Sequence, residues 1–309
     1  MKTVFIFRTL GTILSLLLSC SCATENSVRP NRPADASMNT SAGCDDNLFV
    51  KLHLENGEDL IFAVDTGCPW TILDKSLEPE LGKRIGTRWL RYGWFSNRLA
   101  HKYKSPKLYL GNASLQLGDS VVTDDVQKKM LGRPVAGILG MDCLRHYCIQ
   151  LDFVSKKIRF LDPGNLQVEN LGKPFPLTYI WWDLSTHMDF CGKDFWFGLD
   201  TGDYSDGTLK SVLLERTMEA HNLTRSNEFK TKLGATERRI YFPELVVGET
   251  TYTNLLIHKD SGGINANIIG LRFLARNLVT LNFPKQVMYL KQTSVGPLVF
   301  EDRKKHSAP

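Results

Sequence analysis

Leu48, Val50, Leu52 and Leu54 alternate with Phe49, Lys51, His53 and Glu55, the period-two signature of a half-buried strand. Asn56-Gly57 follows, a strong hairpin signal, and residues 60–64 read as a return strand that delivers Asp65 at its end. Residues 86–103 are rich in aromatic and basic side chains (Trp89, Tyr92, Trp94, Phe95, Tyr103) and predict another hairpin or an overhanging loop. Residues 108–111 and 115–122 read as further strands. Residues 135–140 form an apolar run ending in Gly140, and 141–147 a short helix. Strands over 148–153 and 158–161 are joined by a turn at Ser155-Lys156-Lys157. Asp162-Pro163-Gly164-Asn165 and Gly172-Lys173-Pro174 then mark a linker.

After the linker the pattern starts again. Residues 196–199 lead into Asp200-Thr201-Gly202 as residues 61–64 lead into Asp65-Thr66-Gly67, at an offset of 135. Residues 245–248 echo 108–111. Residues 270–283 lie over 140–153 without a gap, at an offset of 130. Two landmarks at nearly one spacing predict an internal duplication. The expected organisation is a lobe over 45–162, a linker over 163–174, a second lobe over 175–292 and a tail over 293–309.

Composition adds little to the fold and more to the setting. With 309 residues, 42% hydrophobic and 23% charged, the chain suits a globular protein of two ordinary lobes. Spread over that length, a net charge of +5 is too mild to argue for nucleic acid. Lys2 and Arg8 precede an apolar run over 10–18, too short to span a bilayer and suited to a signal peptide over 1–19. Leu17-Leu18-Ser19-Cys20 resembles a lipobox, so Cys20 is the expected lipidation site; an ordinary signal peptide cut nearby is the alternative. Residues 20–44 are then a lipid-anchored flexible tether, and the chain is expected at the cell envelope. Cys22, Cys44, Cys68, Cys143, Cys148 and Cys191 form no Cys-x-x-Cys pair, and the sequence does not fix their pairing. No zinc-protease, phosphate-loop or dinucleotide motif is present, so no metal or cofactor is implied.

One Asp-Thr-Gly would mean little. Two, each after an apolar strand and each followed by an apolar strand ending in glycine, resemble the aspartic peptidases, pepsin-like and retropepsin-like. The resemblance covers residues 47–162 and 175–291 and implies a mainly β, two-lobed acid-protease fold with a cleft between the lobes. It implies Asp65 and Asp200 as the catalytic pair, sharing a proton and activating water. Thr66, Gly67, Thr201 and Gly202 would support the two loops, the threonines by hydrogen bonds across the lobe interface. Tyr92 and Trp94 are candidates for a substrate-covering flap. A peptide or protein substrate follows, with both motifs in one monomer. Two positions depart from the family, which favours Ser, Thr or Ala after the triplet: Cys68 and Asp203 stand there. Cys68 fits sterically, as a buried thiol or a redox-sensitive one. Asp203 would raise the pair's titration or turn outward, and a catalytically impaired, peptide-binding homologue is the rival reading. Asp142 and Arg272 occupy equivalent repeat positions and are expected to form ion pairs.

Overall fold

The structure, a computed structural model, describes residues 32–92, 95–129, 133–180, 183–223, 227–230, 236–260 and 266–299, all within one compact unit over 31–309. Cys20 and the leader therefore lie outside the described residues. The fold is mainly β. In chain order the strands are β1 (Ala36–Ser37), β2 (Phe49–His53), β3 (Asp59–Val64), β4 (Ile72–Asp74), β5 (Gly86–Tyr92) and β6 (Phe95–Lys104). They continue with β7 (Tyr109–Leu110), β8 (Ala113–Ser114), β9 (Ser120–Asp124), β10 (Gly137–Leu139), β11 (Cys148–Asp152) and β12 (Lys157–Leu161). Then come β13 (Lys173–Ile180), β14 (Asp183–Phe190), β15 (Lys193–Asp200), β16 (Gly207–Leu209) and β17 (Asn227–Lys230). The last are β18 (Thr236–Val247), β19 (Thr250–Lys259), β20 (Ile268–Gly270), β21 (Asn277–Asn282) and β22 (Val287–Gln292). The helices are short: α1 (Val126–Lys129), α2 (Met141–Leu144), α3 (Ser211–Ala220) and α4 (Leu271–Leu274). Among the described residues no helix is long and apolar enough to cross a membrane.

One sheet runs β5-β6-β9-β4-β10-β3-β2-β7-β8, and within the other β18-β19-β16-β20-β15-β14 follows the same scheme as β6-β9-β4-β10-β3-β2. In each, the strand ending in an Asp-Thr-Gly loop lies parallel to a short glycine-flanked strand: β3 beside β10, and β15 beside β20. β3 is buried at Phe62, Ala63 and Val64 because it is central in its sheet, while Ile61 on its outer stretch stays exposed. β11 and β21 pair antiparallel with Gln150 opposite Thr280, so residues 130 apart meet at the centre of the ladder and Gln150 Nε2 donates to Thr280 Oγ1 at 3.0 Å.

Three sequence boundaries need correction. The tether ends early: β1 pairs with β12, and Met38, Ala42 and Cys44 are buried, because that stretch carries apolar side chains the sheet can cover. The first lobe does not close at 162 as a separate sheet, since β11 and β12 join the sheet of β21 and β22; β13 then starts at Lys173, inside the expected linker. The tail is tied in at its start, where Thr293 N and Ser294 N donate to Arg276 O. The strand expected over 115–122 is also shorter. Leu115 N bonds Leu108 O and Gln116 N bonds the Tyr147 hydroxyl, which turns the chain aside before β9.

Candidate active site

Each Asp-Thr-Gly loop leaves a buried parallel strand and turns at once. Cys68 N donates to Asp65 O, and Asp203 N to Asp200 O, both at 3.3 Å. In each loop the glycine N–H donates to the aspartate's own Oδ1 at 2.8 Å: Gly67 to Asp65 and Gly202 to Asp200. The buried threonines cross between the loops. Thr66 N donates to Thr201 Oγ1 and Thr201 N to Thr66 Oγ1, both at 3.0 Å. Each hydroxyl then donates at 2.8 Å to the strand of the opposite loop, Thr66 to Leu199 O and Thr201 to Val64 O. Four buried polar groups are thus satisfied only while both loops hold one register.

This grip brings the two carboxyls together, and their side chains hydrogen-bond each other. A Cβ on Gly67 would lie 2.5 Å from Asp200 Cγ, and one on Gly202 would lie 2.7 Å from Asp65 Cγ, so each glycine opens the space the opposite carboxyl occupies. Both aspartates remain half-buried and reachable by solvent. Burial pushes the Asp65 carboxyl up, offset in part by the hydrogen bond from Asp200 and by the loop N–H groups. Asp200 is held well above its ordinary value, first by burial, then by the negative charges of Asp65 and Asp203. Both carboxyls are thus raised, and the pair retains one shared proton through the range in which ordinary carboxyls ionise.

Behind each loop stands a short helix, reached through Gly140 or Gly270. A Cβ on Gly140 would lie 2.4 Å from Trp70 O, and one on Gly270 would lie 2.3 Å from Ser205 O. Met141 N then bonds Cys68 O at 2.8 Å, and Leu271 N bonds Asp203 O at 2.6 Å. The side-chain fastening differs between the halves. Thr71 donates through N (2.8 Å) and Oγ1 (2.7 Å) to Asp142 Oδ1. At the positions 135 and 130 further on, Arg272 Nη1 meets Asp206 Oδ2 at 2.6 Å, and Arg272 Nε meets Asp45 Oδ1 at 3.1 Å. The ion-pair reading thus describes Arg272; Asp142 is corrected to a hydrogen-bond acceptor, because a threonine rather than a cation faces it. Sequence spacing had paired these positions without showing what each would face.

The departures from the family find local partners. Cys68 is buried, its Sγ donates to Trp70 O at 3.1 Å, and burial with the Asp65 charge pushes its thiol far up. It is a free thiol, as are Cys143, Cys148 and Cys191. Asp203 turns back on its own loop, with Oδ1 accepting from Ser205 N at 2.8 Å and Oδ2 from Thr208 Oγ1 at 3.3 Å. Asp206, three residues further on, is committed to Arg272 and Arg276. Tyr92 closes β5, but its side chain and Trp94 lie outside the described residues. The hairpin itself reaches the site: the Arg88 guanidinium lies 3.8 Å over the Trp70 ring, and Leu90 and Ala100 share a buried cluster with Cys68. A surface groove of about 340 Å³ lined by Asp35, Ser37, Lys51 and Gly111 lies apart from the carboxyl pair. His53 has both ring nitrogens on carbonyls, Leu54 O at 2.9 Å and Gly111 O at 2.8 Å.

Sequence reasoning missed Asn47. Its Nδ2 donates at 3.0 Å to Gly202 O, so the segment after β1 also steadies the second loop. Only the apolar residues around it, Ala42, Cys44 and Leu48, hint that this stretch is folded. No family model and no curated protein sequence matches the chain.

Proposed function

We propose that this chain is an aspartic endopeptidase with a two-lobed acid-protease fold built by internal duplication, in which Asp65 and Asp200 activate a water. The observation that carries this reading is the reciprocal fit of Gly67 to the Asp200 carboxyl and Gly202 to the Asp65 carboxyl. Two carboxyls in contact and open to solvent suit general acid–base chemistry on a water between them. Asp65 takes a proton from the water as its oxygen bonds to the scissile carbonyl carbon, while the Asp200 proton passes to the carbonyl oxygen. Collapse of the resulting diol breaks the C–N bond and returns a proton to the departing amine. No covalent intermediate with the protein is required. The substrate is a peptide or unfolded protein, and the leader-like N-terminus with its lipobox at Cys20 supports an enzyme of the cell envelope held by a lipid anchor.

The test is cleavage of a peptide mixture from acidic to neutral pH by the wild type, Asp65→Asn and Asp200→Asn. Each substitution should lower turnover by about 10²–10⁴-fold. Cleavage that survives both would sink the assignment. Peptide retention by the wild type without cleavage at any pH would favour the binding-protein reading instead.

Asp203 gives this reading a signed pH prediction. Its charge helps to keep the proton on Asp200, so Asp203→Asn lets that proton leave at lower pH. The basic limb of the activity profile should move toward acid. An unmoved or alkaline-shifted limb would show that Asp203 does not act on the pair.

A further inference from the structure

The net charge of +5, read above as spread over the chain, is corrected by its distribution, which concentrates it in one stretch. Residues 83–104 hold seven basic and no acidic residues, so the remainder has 31 basic against 33 acidic side chains and a net charge of −2. This stretch is the β5–β6 hairpin, with β5 at the free edge of its sheet. Its two faces differ. Leu90 is buried and Arg88 lies over Trp70, so that face packs inward. On the other face Ile85, Trp89 and Leu99 are 56%, 66% and 54% exposed, and Trp89 stands directly opposite Leu99 in the ladder. Lys83, Arg84 and Lys104, at the open end of the hairpin, are exposed as well.

Charged residues on an edge strand are often a guard against edge-to-edge pairing. That accounts for the lysines and arginines but not for an exposed tryptophan beside an exposed leucine. A second copy of the chain would bring two such basic hairpins together and be repelled. Nucleic acid would match the charge and find a ring in Trp89, but it would leave the exposed aliphatic side chains of Ile85 and Leu99 uncovered. An anionic bilayer satisfies both parts: aliphatic side chains and an indole enter the headgroup boundary while basic residues meet the lipid phosphates.

We infer that the outer face of the β5–β6 hairpin is a docking surface for an anionic lipid bilayer, independent of any lipid on Cys20 and of the chemistry at the carboxyl pair. The experiment uses residues 31–309, the compact unit, without the leader. The protein is sedimented with vesicles of phosphatidylcholine alone and of phosphatidylcholine mixed with phosphatidylglycerol. Binding is expected to the mixed vesicles only, and to be lost at high salt. Lys83→Ser with Arg84→Ser should weaken it by about tenfold or more. Trp89→Ala with Leu99→Ser should weaken it by about tenfold while the circular dichroism stays that of the wild type. If the second pair fails to fold, the charge pair and the salt series still decide. Equal binding to both vesicle types, no effect of either pair, or tighter binding to polyglutamate or an oligonucleotide than to vesicles would overturn the inference.

Discussion

Replacing Gly67 by alanine should abolish cleavage while leaving the chain folded. The added methyl would stand 2.5 Å from Asp200 Cγ and 2.6 and 2.7 Å from its two oxygens, so the Asp200 carboxyl has to leave its place beside Asp65. Displacing a reacting group by about 1 Å costs on the order of 10²-fold, and full loss of one acid–base partner about 10²–10⁴-fold. Gly202→Ala should behave alike, since its methyl would meet the Asp65 carboxyl at 2.7–2.9 Å. Gly198→Ala is the control on the same strand. Its methyl would touch Asn267 O at 3.7 Å and Ile268 Cγ1 at 3.8 Å, ordinary contacts, so activity should survive. Turnover of the Gly67 variant at the wild-type level would mean that the two carboxyls do not act together.

Asp206→Ala should be the most destabilising single change behind the site, by about 3–5 kcal/mol in urea denaturation. Its carboxylate accepts from Leu256 N at 2.7 Å and meets Arg272 Nη1 at 2.6 Å and Arg276 Nη2 at 2.8 Å. Burial raises this carboxyl above its ordinary value, and the two guanidiniums pull against that rise by favouring the ionised form that meets them. Removing it takes the carboxylate from Arg276, whose side chain is fully buried and keeps only the carbonyls of Thr253, Asn254 and Val295, and leaves Arg272 with Asp45 alone. Thr71→Ala, the change at the matching position of the first half, removes only the neutral Oγ1 donor from Asp142, the backbone N–H remaining, and should cost less, about 1–3 kcal/mol. Equal costs in the two halves would show that the charge inversion carries no energetic weight.

The sequence by itself determined the local signals. The Asn56-Gly57 hairpin, the strands on either side of Lys156 and the short helix after Gly140 are written in spacing and turn chemistry, which act between near neighbours, whereas residues 86–103 read equally as a hairpin or an overhanging loop. The two Asp-Thr-Gly triplets and the offsets of 135 and 130 were equally legible, because a repeat survives as a pattern along the chain. Tertiary structure alone decided what those elements meet. That β11 pairs with β21 about Gln150 and Thr280, merging strands from both sides of the linker into one sheet, depends on residues 130 apart. The folding-in of residues 36–47 rests on partners as distant as β12 and Gly202, and no local period announces them. The same holds at the centre of the molecule. Spacing named Gly67 and Gly202 as loop residues, but their reason for being glycine is a carboxyl from the other half of the chain, which only the packed molecule brings within 3 Å.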